Sequence, residues 1–158
     1  MIPRVLKRLT ALGAAILVLV LTTTTAAAGL TRAEARLLRD LNRVRAAHGL
    51  APLRYDPRLQ RAARAHSRAM LVTQTFQHGA FGARMAQFDV KGTWTGENLA
   101  WGNGAFGSAG GILRAWLASP EHRANLLRPG FTRIGIGDLV GAFLGYDAAH
   151  VVTADFAG

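Results

Sequence analysis

The sequence predicts an α+β domain in which helices come first and a small, mainly antiparallel sheet comes last. Between Thr31 and Leu127, apolar residues recur at the three- and four-residue spacing of amphipathic helices. After Arg128-Pro129-Gly130 the spacing changes to every second residue, which is typical of half-buried strands. Strands that follow one another closely pair most simply in antiparallel fashion, and the helices then cover the sheet.

The start of the chain has the composition of an export signal. Its basic start, uncharged apolar centre and small-residue cleavage site are residues 4–8, 11–21 and 26–28. We therefore predict a signal peptide at residues 1–28 with cleavage near Ala28/Gly29, a single domain at residues 29–158, and a secreted or periplasmic location. The alternative is an uncleaved membrane anchor, whose roughly 20 apolar residues would have to run through the four threonines at 22–25.

Charge and composition exclude several classes of protein. The formal net charge of the 158 residues is +10, and +7 remains without the three cations of the predicted signal. Many of the arginines recur at helical spacing with no aromatic residues between them, which indicates solvated helix faces, so we expect no nucleic acid among the partners. There is no cysteine, which excludes disulfides, thiolate metal sites, a cysteine nucleophile and a lipid-modified cysteine.

The first helix begins at a capping box formed by Thr31 and Glu34, and its apolar stripe runs to Gly49. Asn42 and Arg45 lie beside that stripe, where their polar groups can tie the helix to a neighbouring loop.

A connection at residues 50–55 precedes a second helix, which starts with Asp56 as N-cap and Pro57 in the first turn and runs to about Thr73. His66 falls on the inward face of this helix, which favours a hydrogen-bonded core histidine over a ligand.

Two later residues are candidates for chemistry. His78 follows Phe76 on a loop, and a short helix at residues 81–88 comes next; such a histidine can act as a ligand or an acid/base group. Glu97 is the single carboxylate between Asp89 and Glu121. The glycines and the two tryptophans around it, Trp94 and Trp101, predict a tight loop with apolar walls, in which a buried carboxylate needs a partner such as a histidine.

The segment 102–111 contains five glycines and reads as a flexible connection. A third helix carrying Trp116 follows and stops at Ser119-Pro120, where Ser119 is the N-cap of another helix. His122 then lies in the first turn of that helix, whose dipole favours the neutral imidazole that a metal or a proton acceptor requires. The alternating pattern beyond residue 130 predicts strands at residues 131–137, 142–146 and 150–156.

Five motifs in this order resemble the CAP superfamily, and more narrowly its bacterial SCP-like secreted branch. They are Leu41-Asn42-x-x-Arg45, Phe76-x-His78, Gly96-Glu97-Asn98-Leu99-Ala100, Trp116-x-x-Ser119-Pro120-x-His122-Arg123-x-Asn125 and Ile134-Gly135-Ile136-Gly137. The resemblance covers residues 34 to 157. It implies a three-layer α-β-α sandwich with a cleft lined by two histidines and one or two glutamates, which in relatives can hold a divalent metal such as zinc.

Carried over residue by residue, the resemblance makes His78 and His122 the two histidines and metal ligands, and Glu97 the first glutamate and candidate catalytic residue. Ser119 lies in the same cleft but departs from the pattern, because many relatives have a second glutamate there. Asn98 and Asn125 join Asn42 and Arg45 as a structural polar network. We do not transfer the role of the missing glutamate to Glu121.

These residues support a secreted monomeric binding protein whose cleft holds Zn²⁺ or another divalent cation and a small lipid-like or peptide ligand, with no nucleotide. The alternative is a secreted metal-assisted hydrolase of protease type. It is less well supported, because the sequence lacks the Gly-x-Ser-x-Gly and His-Glu-x-x-His motifs and a proline directly follows Ser119. A third interpretation is that Glu97 and a histidine only hold two segments together as a charged staple.

Overall fold

The computed structural model describes residues 29–158, and the predicted signal peptide lies outside the described residues. The chain forms the three-layer α-β-α sandwich that the family resemblance implies, with one four-stranded sheet between two layers of helices. The elements are α1 (Arg32–Ala47), β1 (Arg54–Tyr55), α2 (Pro57–Thr73), α3 (Phe81–Gln87), β2 (Thr95–Asn103), α4 (Gly104–Gly107), α5 (Ala109–Ala118), α6 (Pro120–Leu126), β3 (Arg133–Phe143) and β4 (Tyr146–Ala157). No helix within residues 29–158 has the length and apolar character needed to cross a membrane.

The sheet has the order β1-β3-β4-β2. The pairs β3–β4 and β4–β2 are antiparallel, and the two-residue β1 runs parallel to β3. Along each strand, side chains alternate between the two faces of the sheet. Val152, Ala154 and Phe156 pack against α1 and α5 on one face, whereas Ala149 and Val151 pack against Met70 of α2 on the other.

The predicted starts of α1 and α2 are confirmed. Thr31 Oγ1 accepts from the Glu34 amide at 3.2 Å, and the Glu34 carboxylate accepts from the Thr31 amide at 2.7 Å. The Asp56 carboxylate accepts from the amides of Arg58 and Leu59, with Pro57 in the first turn of α2.

Three strand predictions are wrong. The segment around Glu97 is strand β2, not a tight loop, and it lies in the middle of the chain, so the sheet is not confined to the end. Residues 142–146 are not a separate strand but the hairpin that joins β3 to β4, with Leu144 and Gly145 at positive φ. Two of the residues predicted to connect α1 and α2 form β1.

The glycine-rich segment 102–111 is also not a flexible connection. It forms the end of β2, helix α4 and the start of α5, which contact one another closely. A Cβ atom on Gly107 would lie 2.4 Å from the Gly102 carbonyl oxygen, and one on Gly111 would lie 2.3 Å from that of Ala105. Glycine is needed here because the backbones pack against each other.

Asn42 and Arg45 tie α1 to loops, as the sequence suggests. Asn42 exchanges two hydrogen bonds with the backbone of Leu53, at 2.9 and 3.0 Å. The buried Arg45 guanidinium donates to four backbone carbonyls, one just after α1 and three in the segment 126–131: Ala51, Leu126, Arg128 and Phe131.

Candidate functional site

Strand β2 carries Glu97 into a buried position beside α2 and α3. β2 is an edge strand of the sheet, and its Glu97 contacts the loop that follows α2. Glu97 and Leu99 point to the same face, where Leu99 packs against Met70 of α2. Glu97 is 8% exposed, so its carboxylate depends on protein partners instead of water.

The Glu97 carboxylate contacts His78, Arg84 and Asp155. Its Oε1 lies 2.7 Å from Nδ1 of His78, on the loop after α2. Its Oε2 accepts from Nη2 of Arg84, the buried arginine of α3. Asp155 is directly opposite on β4 and contacts both Glu97 and Arg84.

Two carboxyl groups around one guanidinium cannot both ionise at low cost. Burial raises the pKa of Glu97 to about 7, although the Arg84 charge opposes the rise. Burial raises the pKa of Asp155 well above its usual range, and the Glu97 charge adds to the effect. Within residues 29–158, neither Asp155 oxygen accepts a well-formed hydrogen bond. We therefore assign the shared proton to Asp155 and the negative charge to Glu97, so that His78 Nδ1 is the donor to Glu97.

His66 is the hydrogen-bonded core histidine that the sequence predicts, and it also borders this cluster. Its Nε2 is 2.9 Å from the Gln77 carbonyl oxygen and 3.8 Å from Oε2 of Glu97. Burial and the Arg84 charge lower the pKa of His66 to about 4. The ring is therefore neutral at physiological pH and donates to the backbone.

His122 and Ser119 lie at the start of α6, on the other side of β2. Ser119 is the N-cap residue of α6, as predicted, but its side chain makes no hydrogen bond to the helix backbone; its Oγ lies 2.8 Å from Nδ1 of His122 instead. Burial lowers the pKa of His122, and the charge of His78 lowers it further. The His122 imidazole is therefore mainly neutral near neutral pH.

Asn98 and Asn125 hold this helix start against β2. Asn98 Nδ2 donates to the His122 carbonyl at 2.9 Å. Asn125 Nδ2 donates to Oδ1 of Asn98 at 2.9 Å and to the Glu97 carbonyl at 3.2 Å. The two amide side chains thus link the backbones that carry Glu97 and His122.

An open groove of about 270 Å³ follows the outer edge of β2. Its walls are mainly apolar, and Ser119 and His122 supply a hydroxyl and an imidazole. The groove is lined by Phe76, Leu99, Ala100, Trp101, Ala115, Trp116, Ser119 and His122. His78 and Glu97 do not line it. The prediction that Trp94 and Trp101 wall the Glu97 carboxylate is wrong. Trp94 is 54% exposed and lies under the Arg128 guanidinium, while Trp101 packs against Phe143 and Tyr146.

The histidines fit a metal ion only in part. Nδ1 of His78 contacts Glu97, and Nδ1 of His122 contacts Ser119. The Nε2 atom of each ring is therefore available as a metal ligand. Two nitrogens are fewer than the three or four protein ligands of most zinc sites. Among residues 29–158 there is no cluster of three or more His, Cys, Asp or Glu side chains placed to bind a metal. Water or a bound ligand would have to complete the coordination.

The sequence did not reveal Arg84 and Asp155 as parts of this site. Arg84 sits in a short helix with no motif around it, and Asp155 lies within an apolar strand. The one available signal for Asp155 was a lone acid in a run that otherwise reads as buried.

Comparisons with known proteins agree with the motifs and the fold. A family model described as the cysteine-rich secretory protein (CAP) family matches residues 38–156. The uncharacterized protein YkwD of Bacillus subtilis (strain 168) is 34% identical over 121 residues, covering 73% of this chain and 46% of that protein. The uncharacterized membrane protein YlbC of the same organism is 33% identical over 112 residues, covering 68% and 32%. The chain therefore spans less than half of either relative.

Solved structures have the same fold. An extracellular protein containing an SCP domain from Bacillus anthracis str. Ames matches with a TM-score of 0.66 and 27% identity, covering 82% of this chain and 44% of that one. An outer surface protein from Borrelia burgdorferi matches with a TM-score of 0.65 and 23% identity, covering 78% and 92%.

Proposed function

Because the chain belongs to the cysteine-rich secretory protein (CAP) family, we propose that it is an exported, monomeric binding protein. Its cleft would hold a divalent cation such as Zn²⁺ between His78 and His122, together with a small, partly apolar ligand. Export is supported by the signal-like residues 1–28 and by the extracellular SCP-domain protein among its structural relatives.

The observation that carries the metal part is the hydrogen bonding of the two imidazoles. Metal-binding histidines usually donate the other ring N–H to a carboxylate, carbonyl or water, which fixes the tautomer and the orientation of the ring. Glu97 can serve His78 in this way, and the Ser119 hydroxyl can serve His122. The lowered pKa of His122 favours the neutral form that binds a metal.

The groove along β2 supports a ligand with an apolar body and one polar group. Phe76, Trp101 and Trp116 contribute apolar surface, and His122 with Ser119 contributes the polar end. A lipid-like molecule suits this lining better than an extended peptide. The carbonyls of Glu97 and Leu99 on the edge strand already accept hydrogen bonds from the side chains of Asn125 and Trp116, and cannot pair freely with a peptide backbone.

The hydrolase alternative has one observation in its favour, the short contact between Ser119 Oγ and His122. Activating a serine needs a base that a third group orients. The available carboxylate, Glu97, contacts His78 instead. Ser119 with His122, and Glu97 with His78, therefore form two separate pairs. Equal casein or ester hydrolysis by wild type and Ser119→Ala would rule out this serine as nucleophile, whereas loss of turnover in the variant would favour the alternative.

The metal proposal is tested by titrating dialysed protein with zinc in a calorimeter. We expect one zinc per chain for the wild type, and an affinity at least about 10-fold weaker for His78→Ala and for His122→Ala, because each removes one of two protein donors. His48→Ala is the matched control, since His48 is an exposed histidine at the end of α1 and should leave the affinity unchanged. Absence of zinc uptake by the wild type would reject the metal site.

A further inference from the structure

We infer that Arg84 is a positioning residue that fixes the tautomer and orientation of His78. What His78 then binds rests on the proposed function, but the positioning follows from the contacts alone. The side chain of Arg84 comes from α3, is 9% exposed, and lies beneath the loop that carries His78.

One guanidinium holds both members of the Glu97–His78 pair. Nη2 of Arg84 donates to Oε2 of Glu97, which leaves Oε1 directed to the His78 ring. Nη1 of the same arginine donates to the His78 backbone carbonyl at 3.4 Å. The planar fork thus sets the carboxylate and the histidine backbone relative to each other, which a single-point cation cannot do.

The arginine itself has little freedom to move. Its Cζ lies 5.4 Å from the centroid of the Phe81 ring, and its Nη2 lies 3.5 Å from Oδ1 of the buried Asp155. These contacts come from α3 and from β4, the strand that pairs with β2. Arg84 therefore transmits the rigidity of the helix–sheet packing to a loop histidine whose side chain is 61% exposed.

The consequence for His78 concerns which nitrogen carries the proton. A carboxylate only accepts hydrogen bonds, so its contact with Nδ1 keeps the proton there and leaves a lone pair on Nε2. An exposed histidine without this contact favours the other tautomer, with the proton on Nε2. Without Arg84, Oε2 of Glu97 loses its donor and the carboxylate can turn away from the ring. Nε2 of His78 then becomes protonated and no longer offers a lone pair.

The tautomer of His78 can be read directly from long-range ¹H–¹⁵N correlation spectra of the metal-free protein at mildly alkaline pH. We expect the Nδ1–H form in the wild type and in Arg84→Lys, which keeps one charged donor to Glu97. We expect the Nε2–H form in Arg84→Met. Zinc affinity should fall by about 10- to 100-fold in Arg84→Met, as for other losses of a partner behind a metal ligand, and by less in Arg84→Lys. Arg68→Met, which removes an exposed arginine of α2, should change neither quantity.

The outcomes separate this inference from the proposed function. If the wild type binds no zinc, the proposed metal site fails while the spectra still test Arg84. An Nε2–H tautomer in the wild type, or a folded Arg84→Met with the wild-type tautomer, would overturn the inference. If Arg84→Met does not fold, the spectra of Arg84→Gln decide in its place, because glutamine also lacks the charge: the Nε2–H form would support the inference and the wild-type tautomer would overturn it. Where the wild type binds zinc, Arg84→Lys should bind it at least several-fold more weakly, because lysine loses the second contact, and an unchanged affinity would reduce Arg84 to a structural role.

Discussion

Asp155 is the residue whose environment departs most from that of an ordinary acid. It lies on the central strand β4, where both faces of the sheet are covered, so an acid in this run is buried whichever way it points. Its nearest polar neighbours are Glu97 across the strand pair and Arg84 from α3. The fold therefore holds two acids and one arginine in a site largely shielded from water.

Replacing Asp155 with asparagine should alter how stability depends on pH. A carboxyl whose pKa is raised on folding stabilises the protein fully below its unfolded pKa, and the contribution is lost as the pH rises. His66 acts in the opposite direction: its pKa is lowered to about 4, so its contribution is complete above about pH 6.5 and is lost at lower pH. Above about pH 6.5 the His66 contribution is constant. The raised pKa of Glu97 acts in the same direction as that of Asp155, so the part due to Asp155 is the difference between the wild type and Asp155→Asn.

We therefore expect the wild-type Tm to fall as the pH rises above about 6.5, and the fall to be smaller in Asp155→Asn, whose amide can donate to Glu97. Each unit of pKa shift corresponds to about 1.4 kcal/mol, or roughly 3–5 °C for a domain of this size. Thermal unfolding across this pH range is the measurement. Asp147→Asn, an exposed position on the same strand, is the control. Parallel curves for the wild type and Asp155→Asn would contradict the assigned proton.

The candidate residues of the site were predictable to different degrees for physical reasons. His78, Glu97 and His122 stand out in the sequence because each is a titratable residue between glycines, prolines or aromatics. Arg84 looks like any helical arginine, since its role depends on burial between α3 and β4. The spacing of residues does not encode side-chain geometry. It therefore could not show that Glu97 pairs with His78, or that the Ser119 hydroxyl contacts His122 and not the backbone of α6.

At the scale of elements, helices were easier to predict than strands. The starts of α1 and α2 carry their own caps, so local residues determine them. Strand β2 was missed because Gly96 resembles a turn residue. Glycine is needed at position 96 because of a ring that is distant in the sequence: a Cβ on Gly96 would lie 2.7 Å from Cζ of Phe131. The signal for β2 therefore depends on a contact with a residue far along the chain.

The packing of α2 on β3 depends on two strand glycines, and alanine at either should be costly. A Cβ on Gly135 would lie 2.0 Å from the Leu59 carbonyl carbon, and one on Gly137 would lie 2.5 Å from that of Ala63. Because these neighbours are backbone atoms, the helix itself would have to move. We expect each substitution to lower the free energy of unfolding by about 3 kcal/mol or more, measured by urea unfolding.

Gly82 provides the matched control for these glycines. It lies in α3, and within the described part of the chain a Cβ added there would meet no atom beyond its own helix backbone within 4 Å. Gly82→Ala should therefore be neutral or stabilise the fold by up to about 1 kcal/mol. If Gly135→Ala and Gly137→Ala were as stable as Gly82→Ala, the close approach of α2 to β3 would be wrong.

At the scale of the whole molecule, the layers are joined by polar links as well as by apolar packing. Arg45 of α1 is 1% exposed, and its hydrogen bonds reach residues more than 80 positions away. One of its acceptors is the carbonyl of Leu126, the last residue of α6, where the helix dipole is negative. The guanidinium thus connects α1 to the end of the helix whose first turn carries His122.

Arg45→Met should therefore destabilise the protein far more than the loss of an ordinary arginine. The methionine fills similar space but leaves the acceptors on Ala51, Leu126 and Phe131 without their charged donor. Hydrogen bonds to charged groups contribute about 1.5–3 kcal/mol each, so we expect a loss of at least about 3 kcal/mol and a Tm lower by roughly 10 °C. Arg43→Met on the same helix removes an exposed ion pair with Asp40 and should cost less than about 1 kcal/mol. Equal Tm values for the two variants, measured by calorimetry, would show that the Arg45 hydrogen bonds do not help to hold α1 to the rest of the fold.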